Sequence, residues 1–254
     1  MGALSFEPIA GLPLVAPGDD LVALIAAALR AAGRTPVAGD ILAVAQKIVS
    51  KAEGRLLDLR SVEPSGEARA LAARADKDPR VAELILRESR GIVRVARGVI
   101  IAEHNSGTIL ANAGIDRSNV SGDEDHVLLL PVDADASARG LRAALEREFG
   151  AALGIIITDS IGRPWRLGTV GHAIGAAGVT AVLDLRGHGD LFRRQLQVSE
   201  VAVADSLAAA AVLAMGEAAE GTPLVLIRGA TLATGAADGG AAGVLRNPAE
   251  DLFR

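Results

Sequence analysis

Four short segments carry the residue types that ligand chemistry requires. The first, Lys47-Ile48-Val49-Ser50-Lys51, follows the apolar run Ile41 to Ala45. An ammonium is a compact point charge suited to the nonbridging oxygens of a polyphosphate, although two such lysines also fit a solvated loop. The second, Asn112 to Asn119, sets Asp116 among Asn, Ser and Gly. That composition suits a hard cation, which takes oxygen ligands, and it equally suits an ordinary turn. The third, Thr158 to Gly168, places Asp159 and Ser160 at the end of the apolar strand Gly154 to Ile157, followed by Arg163 and Arg166. Strand ends commonly host ligands in open sheets. Asp159 fits a magnesium ligand there, and the arginines fit phosphate or carboxylate; a strand-terminal turn with a surface ion pair accounts for the same residues. The fourth, Met215 to Thr222, brings Glu217 to the end of an alanine-rich helix. An acid there opposes the helix dipole. A bound metal would offset that opposition, and a solvated helix end is the ordinary alternative.

Other candidates are weaker. Gly168, Gly171, Gly175 and Gly178 make no dinucleotide fingerprint, and their small size suits close packing of helices. His104, His126, His172 and His188 lack metal-ligand spacing. No G-x-S-x-G elbow and no Walker A loop occurs, so serine-hydrolase and P-loop readings lose support.

Composition narrows the classes further. The chain has 254 residues, half of them hydrophobic, and a net charge of -5. Such an acidic balance argues against a nucleic-acid partner, and Trp165 with four Phe leaves little for base stacking. The absence of cysteine excludes disulfides and thiolate metal sites and suits a reducing, cytoplasmic setting. Met1 to Pro8 lacks a basic region followed by an apolar core, so no signal peptide is read. The longest apolar run, Leu207 to Met215, is too short to cross a bilayer, so no membrane partner is expected.

The elements that must position these residues follow from periodicity. Leu21 to Ala32 has helical spacing, with Asp19 and Asp20 to cap it and Gly33 to stop it. Ile41 to Ala45 reads as a buried strand. Ser65 to Ala75 and Pro79 to Arg90 read as helices, and Gly91 to Ala111 as β structure with a hairpin turn at Asn105-Ser106-Gly107. Ser137 to Phe149 is an amphipathic helix, Val198 to Ala218 a further helix, and Pro223 to Ile227 a last strand. Gly229 to Gly243 reads as a loop. The irregular alternation predicts an α+β fold of mixed sheets and packed helices. We read one domain over residues 1–254, in two subdomains that divide near residue 150.

In this order, the segments resemble the coenzyme F420-0:L-glutamate ligase family, the F420 gamma-glutamyl ligases. The matching stretches are Gly11 to Val15 with Gly18-Asp19-Asp20; Gly39-Asp40 through Ile48 to Arg55; Asn112 to Val120; Leu129-Leu130-Pro131; Thr158 to Gly168; Ala173-Ile174-Gly175; and Met215-Gly216-Glu217. Each is weak alone, and seven in register are specific. The resemblance implies a GTP-dependent, amide-forming ligase that is an intertwined homodimer and holds two divalent cations, Mg2+ or Mn2+. By motif, Asp116 and Asp159 correspond to ligands of one cation, and Ser160 and Glu217 to ligands of the other. Leu12, Pro13, Leu14, Val15, Gln46, Lys47, Lys51 and Asn119 would surround GTP, together with Met215, Gly216, Glu217, Ala218, Ala219, Glu220, Gly221 and Thr222. Lys51, Asp116 and Asp159 form the implied catalytic set. Many members carry Ser or Thr where this chain has Gln46 and Lys47.

The implied reaction suits the residues. Joining F420-0 to L-glutamate requires activation of a carboxylate, by way of an acyl phosphate. Transfer of the γ-phosphoryl group of GTP needs positioning and charge neutralisation more than covalent help. Further γ-linked glutamates could be added by the same chemistry. The alternatives are another metal-dependent carboxylate–amine ligase, a nucleotide phosphotransferase, or a nucleotide sensor without turnover.

Overall fold

A computed structural model describes residues 3–231 and 240–251. Its main sheet takes β1 (Ser5–Pro8), β2 (Ile41–Ala45), β8 (Gly154–Arg163), β9 (Arg166–Ala177) and β12 (Leu224–Arg228) in the order β1-β12-β2-β8-β9. Only β2 and β8 run parallel. Successive side chains on a strand face opposite ways, so this sheet buries both faces. Leu42, Val44, Ile155, Ile157, Leu224 and Leu226 pack against Ile25 and Leu29 of α1 (Leu21–Ala31) and Leu141 and Leu145 of α5 (Ala134–Phe149). Ile41, Ala43, Ile156, Val225 and Ile227 pack against Leu207, Ala208, Ala211 and Val212 of α6 (Val203–Met215). Each such Val, Leu or Ile side chain contributes roughly 1.5–3 kcal/mol when fully buried.

Between α2 (Gln46–Ala52) and α5 the chain builds a second layer. It comprises β3 (Leu56–Asp58) paired with β7 (His126–Leu128), helices α3 (Gly66–Ala75) and α4 (Pro79–Arg87), and the sheet β4 (Ser89–Ala96), β5 (Val99–His104) and β6 (Ile109–Ala111). Leu71, Val81, Ile85, Ile100 and Val127 form its own core. The fold is α+β, with mixed and antiparallel sheets. Among the described residues no helix is long and apolar enough to cross a membrane.

A bulge organises β9. Ile157 pairs with Gly175 but Thr158 with Ala173, so the strand gains one residue there and swaps faces. Gly171 therefore meets α6 and Gly175 meets the start of α5. An added Cβ would lie 2.4 Å from the Ala208 carbonyl oxygen at the first and 2.3 Å from that of Ala134 at the second. Small residues do permit close helix packing, and they do so from a strand.

Several elements differ from expectation. Lys47 to Lys51 is helical, within α2. The helix expected to reach Arg90 ends at Arg87, because Ser89 already pairs with His104 in the β4–β5 ladder. The helix expected over Val198 to Ala218 spans only Val203–Met215. Before it, β11 (Glu200–Ala202) pairs with β10 (Val182–Asp184), and after it Gly216 turns out of the helix at φ 78°. The expected loop Gly229 to Gly243 lies partly outside the described residues; within them, Ala241–Val244 form a 3-10 turn.

Candidate active site

The end of β2 passes directly into α2, and this junction places the first functional side chains. Gln46 and Ser50 are buried one helical turn apart, and the Ser50 hydroxyl donates to Gln46 Oε1 at 2.9 Å. The amide is thereby oriented with Nε2 outward, donating to Asp116 Oδ2 at 2.7 Å. Lys47 Nζ lies 3.1 Å from the same oxygen. Lys51, four residues on along the same helical face, donates to the Asn119 carbonyl at 3.1 Å. Burial, and then repulsion from Lys47, hold the Lys51 ammonium below the usual lysine range.

Opposite α2, β8 outlasts its parallel partner: β2 pairs as far as Ala45 with Thr158, and β8 then continues with β9 alone as a two-stranded ribbon. Asp159 and Ser160 sit at that departure point. Asp159 Oδ1 accepts the Ser160 amide at 2.9 Å, and the Ser160 hydroxyl donates to Glu217 Oε2 at 3.0 Å. Burial pushes the Asp159 carboxyl up to about 7, and the Asp116 and Glu217 carboxylates add to it against Lys47 and the Ser160 amide. Arg163 and Arg166 do not reach this point. Three strand residues separate Asp159 from Arg163, which donates to the Gly168 carbonyl out on the ribbon.

The loop after α6 closes the site. Thr222 Oγ1 donates to the Met215 carbonyl at 2.5 Å, Glu220 Oε2 accepts the Ala218 amide at 2.8 Å, and Asn119 Nδ2 donates to the Ala218 carbonyl at 3.0 Å. Glycine suits position 216, since its backbone takes φ 78°, a conformation that L side chains rarely adopt. Glu217 thus lies beyond the helix end, on a tied loop.

These segments enclose a cleft of about 640 Å3. Leu12, Pro13, Leu14, Val15, Gln46, Lys47, Lys51, Asn119 and Met215 through Thr222 all line it, as do Asp159, Ser160 and Glu217. Asp116 stands behind Lys47 and Gln46 rather than on the wall. Ser121 and Gly122 also line the cleft, unanticipated; the polar run from Asn112 continues into them and was the available signal. Asp116, Asp159, Ser160 and Glu217 offer only hard oxygen donors, and the Asp159 carboxyl, raised by burial and then by the Asp116 carboxylate, is a group whose charged form a cation would stabilise. Both features fit divalent cations. Among the described residues no three acids or histidines yet form a ready-made metal cluster.

The sequence model of the F420-0:gamma-glutamyl ligase family matches residues 11–229. The chain belongs to this family. It is 47% identical to the coenzyme F420:L-glutamate ligase of Methanopyrus kandleri, with all of both chains covered. The corresponding ligase of Methanothermobacter thermautotrophicus is 45% identical over 99% of each chain, and that of Methanocaldococcus jannaschii 44% over 85% of each. The match to the gamma-glutamyl ligase family spans every segment that lines the cleft, from Leu12 to Pro223.

Proposed function

We propose that this protein joins L-glutamate to coenzyme F420-0 through an amide bond at the expense of GTP, releasing GDP and phosphate. The observation that carries the reading is the gathering, in a chain of this family, of Lys47, Lys51, Asp159, Glu217 and a tied loop around one cleft, with Asp116 held against Lys47. Leu12 to Val15 and the Met215 to Thr222 loop bind the nucleotide. Lys47 and Lys51 neutralise its phosphates, and Gln46 keeps Asp116 oriented. Asp116 with Asp159, and Ser160 with Glu217, hold two divalent cations, Mg2+ or Mn2+, which supply charge neutralisation on the phosphate oxygens. A carboxylate oxygen of F420-0 attacks the γ-phosphorus and GDP leaves. The glutamate amine then attacks the carbonyl of the acyl phosphate, phosphate leaves, and the nitrogen loses its proton. The apolar residues of the cleft keep water from the acyl phosphate. The same cycle on the product adds further γ-linked glutamates.

We also propose that the protein is a homodimer. Trp165 is 82% exposed and Leu167 99% exposed near the tip of the β8–β9 ribbon, and Leu191 and Phe192 are exposed on the loop between β10 and β11. Exposed apolar groups of this size on projecting segments favour burial against a partner.

Mass spectrometry of F420-0 incubated with the protein, GTP, L-glutamate and Mg2+ tests the reaction. A product heavier by one or more glutamyl units, formed with GDP, is expected. Unchanged F420-0 with no phosphate release would sink the reading.

A further inference from the structure

A second cleft, of about 580 Å3, adjoins the first and takes no part in the nucleotide site. The two share one ribbon: Thr158, Asp159 and Ser160 line the first, Ile161 lines the second, and His172 of the second pairs with Asp159 across the ladder. Its walls come from both layers of the molecule. Arg90 is the second residue of β4, Ser106 and Thr108 belong to the turn before β6, and Asp133 caps α5, which carries Arg139.

The charges in this cleft are mixed, and their hydrogen-bonding capacity is unevenly used. Asp135 and Asp205 also face it: Asp135 accepts the Ala176, Ala241 and Ala242 amides through its two oxygens, and Asp205 accepts the Ala173 amide through one. Arg90 uses Nη2 on the Asn105 carbonyl at 2.6 Å. Arg139 reaches Asp133 only at 3.9 Å, outside hydrogen-bond distance. Asp133 caps α5 through one oxygen, which accepts the Ala136 amide. Two guanidinium forks therefore retain most of their donors, and Asp133 and Asp205 each retain an oxygen, that of Asp133 lying on the Arg139 side. The hydroxyl of Ser106 is braced by the buried His104, whose Nδ1 lies 2.9 Å from it.

A ligand matching this pattern carries carboxylates for the arginines and an ammonium for an aspartate. We propose that the second cleft takes the amino-acid co-substrate, an α-amino acid with two carboxylates. Arg90 and Arg139 grip the carboxylates, and Asp133 receives the ammonium. This assignment rests on the ligase reading and locates one of its substrates. An amide-forming enzyme must hold an amine beside the acid activated in the nucleotide cleft, and the two spaces meet along one strand, where Ser160 lines the first and Ile161 the second. Planar bidentate pairing is what an arginine offers a carboxylate and a lysine does not.

Steady-state kinetics on the full chain with F420-0, GTP and L-glutamate test this, using Arg90→Gln, Arg139→Gln and Arg139→Lys. Both glutamine variants should raise KM for glutamate at least tenfold with KM for GTP unchanged, and Arg139→Lys should recover part of that loss. The Arg139 side chain is 57% exposed, so its variants should melt with the wild type. An unchanged KM for glutamate, or a rise in KM for F420-0 instead, overturns the assignment. If the wild type forms no glutamyl product, the ligase reading itself has failed. Saturation-transfer NMR of L-glutamate on wild type and Arg139→Gln then decides the cleft without turnover. Binding lost in the variant upholds it; binding absent from the wild type, or equal in both, overturns it.

Discussion

Burial and the neighbouring Asp116 carboxylate push the Asp159 carboxyl up to about 7, so the metal-free protein folds around a group that prefers its proton. In the unfolded chain that group titrates near 4. Between those values the folded state holds a proton that the unfolded state has released, so this group's contribution to stability falls as pH rises from about 4 to about 7. Thermal melts in EDTA from pH 5 to 8 should show that decline, and Asp159→Asn should flatten it. Mg2+ should raise the melting temperature of the wild type at pH 8 and leave Asp159→Asn unmoved. The same variant should abolish turnover while remaining folded. A pH slope unchanged in the variant, or near-normal turnover at saturating metal, contradicts the assignment. Lys51 makes an independent case. Its ammonium is held down by burial and by Lys47, conditions that an anionic ligand would relieve. Lys51→Ala should weaken GTP binding by about 1.5–3 kcal/mol, at least tenfold in affinity. Its cost to stability should be about 1 kcal/mol or less. Calorimetric titration of GTP in Mg2+, beside melts, separates the two effects.

Elements hold these side chains through a few intolerant contacts. Asp40, at the entry to β2, is 2% exposed in its side chain and accepts from both Nε and Nη2 of Arg228 at the end of β12, at 2.9 and 2.6 Å. Removing Arg228 leaves a buried carboxylate with only the Val37 amide, whereas removing Asp40 leaves an arginine that is already half in water. Arg228→Ala should therefore cost about 2–3 kcal/mol and Asp40→Asn less, by urea denaturation. Equal costs would mean that the pair acts as a surface bridge. Gly171 and Gly175 are stricter still, because the obstacle is helix backbone. Gly175→Ala should displace the start of α5 and destabilise the protein by more than about 2 kcal/mol. Helix ends are the poorest guide from sequence alone. An alanine-rich run favours further helix, and only the positive φ of Gly216 stops α6 where Glu217 can meet Ser160.

At the scale of the molecule, the first cleft is assembled from segments more than two hundred residues apart, Leu12 at one end and Pro223 at the other. The β8–β9 ribbon belongs to both clefts and ends in bare apolar side chains. Light scattering at micromolar concentration should return a dimer. Trp165→Ser combined with Leu167→Ser should shift it toward monomer; a wild-type monomer would remove the proposed interface.

Sequence by itself determined the components. Alternation and apolar runs marked Ile41 to Ala45 and Gly154 to Ile157 as buried strands, because a strand buried on both faces needs an unbroken apolar stretch. Turn chemistry marked Asn105-Ser106-Gly107, and the motifs named every residue proposed for the nucleotide. Tertiary structure alone decided their relations. The order β1-β12-β2-β8-β9 depends on long-range pairing that no local window contains. The withdrawal of Asp116 behind Lys47, the departure of Arg163 and Arg166 along the ribbon, and the raised Asp159 carboxyl follow from burial and distance. The second cleft was invisible for the same reason: Arg90, Asp133 and His172 signal nothing until two layers and a ribbon bring them to one space.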